Sequence, residues 1–189
     1  MEENLKASQS VELSSLYQDV IVDHAKRPRF KSKNSSCRFC LEGKNPICGD
    51  NITVFCQVEM QNSCPLLSIQ FDGNGCSISQ ASASIMCEIL QKVTLDKVQK
   101  TIHHAEEIYT GKLKVNPQDL EDDIEALNGV SKFPVRVKCA ALPWKTLDLL
   151  LTDNFDVDGM PKSGCDKLEN CVKSSNSQRK LKIVTTEEK

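Results

Sequence analysis

Asn51-Ile52-Thr53-Val54-Phe55-Cys56-Gln57-Val58-Glu59-Met60 alternates apolar and polar side chains along its whole length. Ile52, Val54, Cys56, Val58 and Met60 share one face, and Asn51, Thr53, Gln57 and Glu59 share the other, with Phe55 the exception. A period of two marks a strand with one face in a core. Residues 61–64 read as a turn. Leu67, Ile69 and Phe71 then alternate with Ser68, Gln70 and Asp72, which predicts a second strand. So short a link predicts an antiparallel hairpin. Asp72-Gly73-Asn74-Gly75 ends the second strand, and the period then becomes helical. Ser77 is the expected cap, with Ile78, Ala81, Ile85 and Ile89 on the inner face.

Before the hairpin, Leu13, Leu16, Tyr17, Val20 and Ile21 have helical spacing, and Pro28 stops that helix. Residues 1–12 read as a flexible lead and 29–47 as an exposed loop. After the hairpin, Leu95, Val98, Ile102, Ala105 and Tyr109 predict a helix over about 95–110. Asn116-Pro117 predicts the start of another, carrying Leu120, Ile124 and Leu127 and closed by Gly129. Ser131 is the expected cap of the last helix. Val135, Cys139, Leu142, Leu149 and Leu150 mark its buried side, and Pro143 is expected to kink it. Apolar residues are 39% of the chain but only ten of the 38 residues after Leu151. Residues 13–151 therefore read as one domain and 152–189 as a polar, disordered tail. No internal repeat is present.

The chain has 189 residues, with 24 Lys and Arg against 26 Asp and Glu, for a formal charge of −2. A near-neutral balance and few aromatics (six Phe, two Tyr, one Trp) speak against nucleic acid as a partner. No stretch is long and apolar enough for a membrane span. The start Met1-Glu2-Glu3-Asn4 has no apolar signal region, and Glu2, Glu3 and Glu12 oppose a transit peptide. A cytoplasmic location is the expectation. Ten cysteines are then mostly reduced, and some should be ligands or nucleophiles.

Three of the ten sit where the backbone turns. Cys48 lies in Asn45-Pro46-Ile47-Cys48-Gly49-Asp50, Cys76 in Gly73-Asn74-Gly75-Cys76-Ser77, and Cys139 in Arg136-Val137-Lys138-Cys139-Ala140. Glycine beside Cys48 and Cys76 permits close backbone approach to a small ion. Cys76 at a helix start sits in a field that favours thiolate, and Arg136 and Lys138 would do the same for Cys139. Asp50, two residues from Cys48, can face the same side in extended chain. Three thiolates and one carboxylate make a four-coordinate set suited to zinc or iron–sulfur chemistry. No C-x-x-C unit joins any two of the three, and three buried core thiols are the alternative on spacing alone.

The runs Asn45–Asp50, Gly75–Ser79 and Val137–Trp144, with Leu16–His24 and Arg27-Pro28-Arg29, resemble the IscU/NifU N-terminal family of iron–sulfur assembly proteins. The resemblance covers roughly residues 13–151 in order. It implies an α+β fold, a small antiparallel sheet of about three strands covered by helices. It also implies that Cys48, Asp50, Cys76 and Cys139 hold a metal, or that the three thiols hold a cluster. Scaffold-type members carry His before the last cysteine, where this chain has Lys138. That residue, the long stretch between Cys76 and Cys139, and Gly129-Val130-Ser131-Lys132-Phe133-Pro134 resemble the SufU branch. SufU-type members hold Zn2+ and accept sulfur from a SufS-like cysteine desulfurase for a downstream assembly scaffold. The other reading is a non-enzymatic scaffold for a [2Fe–2S] cluster or iron. In the zinc reading, a site with one carboxylate can exchange a ligand for a partner's histidine, and the freed thiolate attacks a persulfide. Cys48, on a loop, is the expected acceptor and Cys139 the alternative.

The remaining candidates are less specific. Cys37-Arg38-Phe39-Cys40 could hold a second metal, trade ligands with the first site, act as a redox pair, or have no role. Cys56 and Cys87 fall on core faces. Cys64, Cys165 and Cys171 receive no role. Adjacent His103 and His104 point about 100° apart on a helix, so with Glu106 and Glu107 they read as a solvated face. His24 would cap the carbonyls of the first helix or favour its dipole, and Glu121, Asp122, Asp123 and Glu125 form a charged helix face.

Overall fold

The computed structural model describes residues 17–32, 37, 39–113, 123–162 and 184–185. Helix α1 spans 17–26 and stops before Pro28, as its sequence predicts. Leu13, Leu16 and the polar lead lie outside the described residues. Three long strands follow: β1 (Phe39–Asn45), β2 (Asp50–Gln61) and β3 (Cys64–Asn74). Each is antiparallel to the next, with β2 central among the three. A two-residue strand β4 (Val184–Thr185) pairs parallel with β1 at Gly43 and Lys44, giving the order β3-β2-β1-β4.

The hairpin is the one its alternation predicts. Ile52, Val54, Cys56, Leu67, Ile69 and Phe71 are fully buried on one face. The stripe runs out at the tip, where Met60 is exposed. Asn62 and Ser63 make the turn, both with positive φ, as a tight hairpin turn requires.

Strand β1 corrects the expectation of an exposed loop over 29–47. Glu42-Gly43-Lys44 carries no apolar side chain, so the alternation is hidden. The buried positions are Phe39, Gly43 and Asn45. Gly43 is buried because the Thr146 and Leu142 side chains fill the space a Cβ would take. Absence of a side chain is what lets the last helix lie on the sheet there.

Helix α2 (Ser77–Ile89) is the centre of the molecule, with every residue from Ser79 to Cys87 buried. A helix hidden all round must lack charge and bulk, and Ala81-Ser82-Ala83-Ser84 meets that need. Its hydroxyls are used internally. Ser82 Oγ donates to the Ala140 carbonyl at 2.7 Å and accepts from Trp144 Nε1 at 2.9 Å. The N-cap is Cys76, not Ser77, and no side chain caps the helix.

Helix α3 (Leu95–Tyr109) runs as expected, and Thr94 accepts from the Lys97 amide at 3.4 Å. The expected helix after Pro117 is corrected in its described part: Asp123–Lys132 is a 3-10 helix that continues through Gly129. Ile124, Leu127 and Val130 are buried at a spacing of three, which suits three residues per turn. Asn116, Pro117 and Leu120 lie outside the described residues.

Helix α4 (Pro134–Asn154) has Phe133 as N-cap and Pro134 at its first position, so Ser131 is not its cap. Val135 is exposed rather than buried, and Leu149 is half-buried. Pro143 lies inside one continuous helix. Beyond Leu151 the folded part goes on: Phe155 is buried, its ring 4.8 Å from that of Phe39. The rest of the tail, except Val184–Thr185, lies outside the described residues. No described helix is long and apolar enough to cross a membrane.

Candidate metal centre

Four elements meet at one end of the sheet. Cys48 lies in the tight connection between β1 and β2, half-buried. Asp50 is the first residue of β2, paired across the ladder with Asn45, the last of β1. Cys76 caps α2, and Cys139 lies in the second turn of α4, fully buried. Sequence separations of up to 91 residues collapse to contact: Cys139 Sγ is 3.2 Å from Cys48 Sγ. Cys48, Asp50 and Cys139 bring one donor atom each within 4.8 Å of the others. Cys76 joins through Asp50, its Sγ 4.0 Å from Asp50 Oδ2.

Asp50 is 2% exposed and is held by both oxygens. Oδ1 accepts the Cys76 amide at 2.7 Å, and Oδ2 accepts from Asn45 Nδ2 at 3.1 Å. Gly75 makes room for this. A Cβ there would stand 2.7 Å from Asp50 Oδ1 and 3.0 Å from Asp50 Cβ. Asn45 is the residue the sequence reading missed. Fully buried, it also reaches Cys139 Sγ at 3.3 Å, so one amide orients two donors. In the sequence it is only the first residue of the Asn45–Asp50 run, and its place across from Asp50 comes from the β1–β2 register.

Burial, then hydrogen bonding with Cys48 and Asp50, pushes the Cys139 thiol up. The expected help from Arg136 and Lys138 is corrected: Arg136 is exposed, Lys138 is half-buried, and neither contributes to that shift. A cation bound by the thiols would favour their charged form. The donor set fits one. Tetrahedral zinc with ligands at about 2.0–2.3 Å separates neighbouring donors by roughly 3.3–3.8 Å. The 3.2 and 4.0 Å contacts straddle that span.

The other cysteines divide cleanly. Cys56 and Cys87 are core thiols with no exposure, each pushed up by burial. Cys37 is buried and close enough to Cys56 to raise it further. Cys40 is disulfide-bonded, so Cys37 and Cys40 do not form a two-thiol unit. Cys64 is free and exposed, while Cys165 and Cys171 lie outside the described residues.

None of the three histidines is at this site. His103 and His104 are exposed on α3, with His103 3.7 Å from Glu107. His24 does not cap its helix with its ring. It is 1% exposed, with Nδ1 2.8 Å from Ser84 Oγ and Nε2 2.8 Å from Asp123 Oδ2. Glu121 and Asp122 lie outside the described residues.

Residues 16–140 match the family model described as the NifU-like N-terminal domain. The zinc-dependent sulfurtransferase SufU of Bacillus subtilis is 38% identical over 136 residues, covering 72% of this chain and 89% of its own. The iron–sulfur cluster assembly scaffold protein IscU of Thermotoga maritima is 34% identical over 132 residues, 70% of this chain and 89% of its own. Among solved structures, FiSufU, a SUF-system protein of Fervidobacterium islandicum AW-1, superposes with a TM-score of 0.57 at 32% identity. It spans 69% of this chain and 92% of that one.

Proposed function

Since this chain belongs to the NifU-like N-terminal domain family, we propose that it serves iron–sulfur cluster assembly as a zinc-dependent sulfurtransferase. A SufS-like cysteine desulfurase would supply the sulfur, and a downstream assembly scaffold would receive it. The observation that carries this reading is the convergence of three thiols and one carboxylate at a site with no histidine. Lys138 stands where scaffold-type members of the family carry His. The 38% identity to the Bacillus subtilis sulfurtransferase supports the same branch.

Cys48, Asp50, Cys76 and Cys139 are the residues that would hold Zn2+, which would keep their thiols deprotonated near neutral pH. Asn45 aims Asp50 and Cys139, and the Cys76 amide fixes the other carboxylate oxygen. Cys48 is the acceptor. It is half-buried beside exposed Ile47, whereas Cys139 is fully buried. The Cys48 thiolate attacks the outer sulfur of the donor persulfide. A new S–S bond forms on Cys48, the donor S–S bond breaks, and the donor cysteine leaves as thiolate. The outer sulfur keeps its oxidation level, so no external reductant or oxidant is needed.

The second reading is a scaffold that builds a [2Fe–2S] cluster on the same three cysteines, favoured by the 34% identity to the Thermotoga maritima scaffold. Anaerobic purification, zinc and iron analysis, and labelled sulfur from a cysteine desulfurase separate the two. Stoichiometric zinc with label on Cys48 is the expected result. A stable iron–sulfur chromophore replacing weak zinc would establish the scaffold. Label accepted by a Cys48→Ala chain that binds zinc normally would move the acceptor role to Cys139.

A further inference from the structure

A second group of metal-type donors lies away from the thiols, on the side of α2 that faces α1 and the 3-10 helix. His24 Nε2 is 2.8 Å from Asp123 Oδ2 and 3.7 Å from Glu88 Oε2, and all three donor atoms fall within 4.8 Å of one another. Three separate segments supply them: α1, α2 and the 3-10 helix. The imidazole is 99% buried, while the carboxylates are 46% and 49% exposed. A fixed nitrogen base with two carboxylates open to water is a site with an entrance.

The ring is oriented from behind. Ser84 Oγ, fully buried, lies 2.8 Å from Nδ1 and accepts the Arg29 amide at 2.8 Å. A metal-bound imidazole ordinarily has its far nitrogen held in this way. Arg29 borders the site, with its closer contact elsewhere. Arg29 makes its short contact with Asp23 at 2.6 Å and reaches Glu88 at only 3.6 Å. Arg27 also faces Asp23, at 3.6 Å.

We propose that His24, Glu88 and Asp123 bind a divalent first-row cation that prefers oxygen and nitrogen donors, of the Mn2+ and Fe2+ kind, apart from the thiol site. Imidazole and carboxylate select such ions, while the three thiols select softer ones. Water fills the remaining positions. Binding at Nε2 needs the tautomer with its proton on Nδ1, donated to Ser84 Oγ, so no proton leaves the ring. Ser84 follows the Cys76 cap by eight residues, about 12 Å along α2, so the two sites fill independently. The proposal does not depend on the sulfur-transfer reading.

The test is a titration of Mn2+ alone into the zinc-loaded full chain, with free Mn2+ counted by its EPR signal and zinc content measured alongside. One Mn2+ held per chain, with zinc unchanged, is expected. Glu88→Gln and Asp123→Asn should each weaken retention at least about tenfold. Both side chains are half-exposed, and circular dichroism checks each fold. No retention by the native chain, or equal retention by a folded variant, overturns the proposal.

Discussion

A single amide decides how Asp50 and Cys139 face each other. Asn45 Nδ2 touches both, and neither donor has another side-chain amide on it among the described hydrogen bonds. Asn45→Ala should therefore leave the fold intact but lower zinc affinity by about 10–100-fold, the usual cost of losing an orienting partner. Competition against a chromophoric chelator measures it. The nearness of Cys48, Asp50, Cys76 and Cys139 in the structure goes with what marks them in the sequence: turns, glycines and a carboxylate. Asn45 is not so marked, because Asn45-Pro46 reads as a turn signal. Its place opposite Asp50 emerges only when β1 is known to be a strand. Arg136 and Lys138 show the reverse error: Lys138 points about 100° away from Cys139 on the helix, and Arg136, three residues back, is exposed while Cys139 is buried.

Elements with period and apolar contrast are visible in the sequence, and those that depend on a distant neighbour are not. The β2–β3 hairpin, α2 and α3 declare themselves by alternation or helical spacing. Strand β1 does not, since its middle buried position is Gly43, whose burial comes from Thr146 and Leu142 some hundred residues later. The 3-10 helix was read as α-helical because Ile124 and Leu127 suit both periods, and only buried Val130 separates them. The hairpin turn offers a test at this scale. Ser63 adopts φ 64°, where a Cβ costs about 1–2 kcal/mol. Ser63→Gly should raise the urea unfolding free energy by roughly 1 kcal/mol, partly offset by glycine's greater unfolded freedom, without changing zinc content.

For the whole molecule, buried thiols set the alkaline limit. Burial holds Cys56 and Cys87 well above the ordinary cysteine value in the folded state. The unfolded chain ionises them near pH 8.5, and the folded chain does not. Their contribution is thus fully present below that pH and is lost as pH rises toward the folded values. Urea unfolding between about pH 8.5 and 10 should show stability falling, each thiol contributing a slope of up to about 1.4 kcal/mol per pH unit. Cys87→Ala should remove one such contribution from the slope, whatever its effect on stability at neutral pH.

The burial of α2 on every side has a temporal consequence. The amides from Ser79 to Cys87 are shut off from solvent and should exchange only when the whole structure opens, and Cys76 is tied to the front end of that stretch. Cys48 rides on a four-residue connection between strand ends, where opening breaks few bonds. One donor set therefore spans two timescales: a fixed post at the helix cap and a quick edge at the turn. Chemistry that must bring an outside sulfur to the thiols meets the quick edge first.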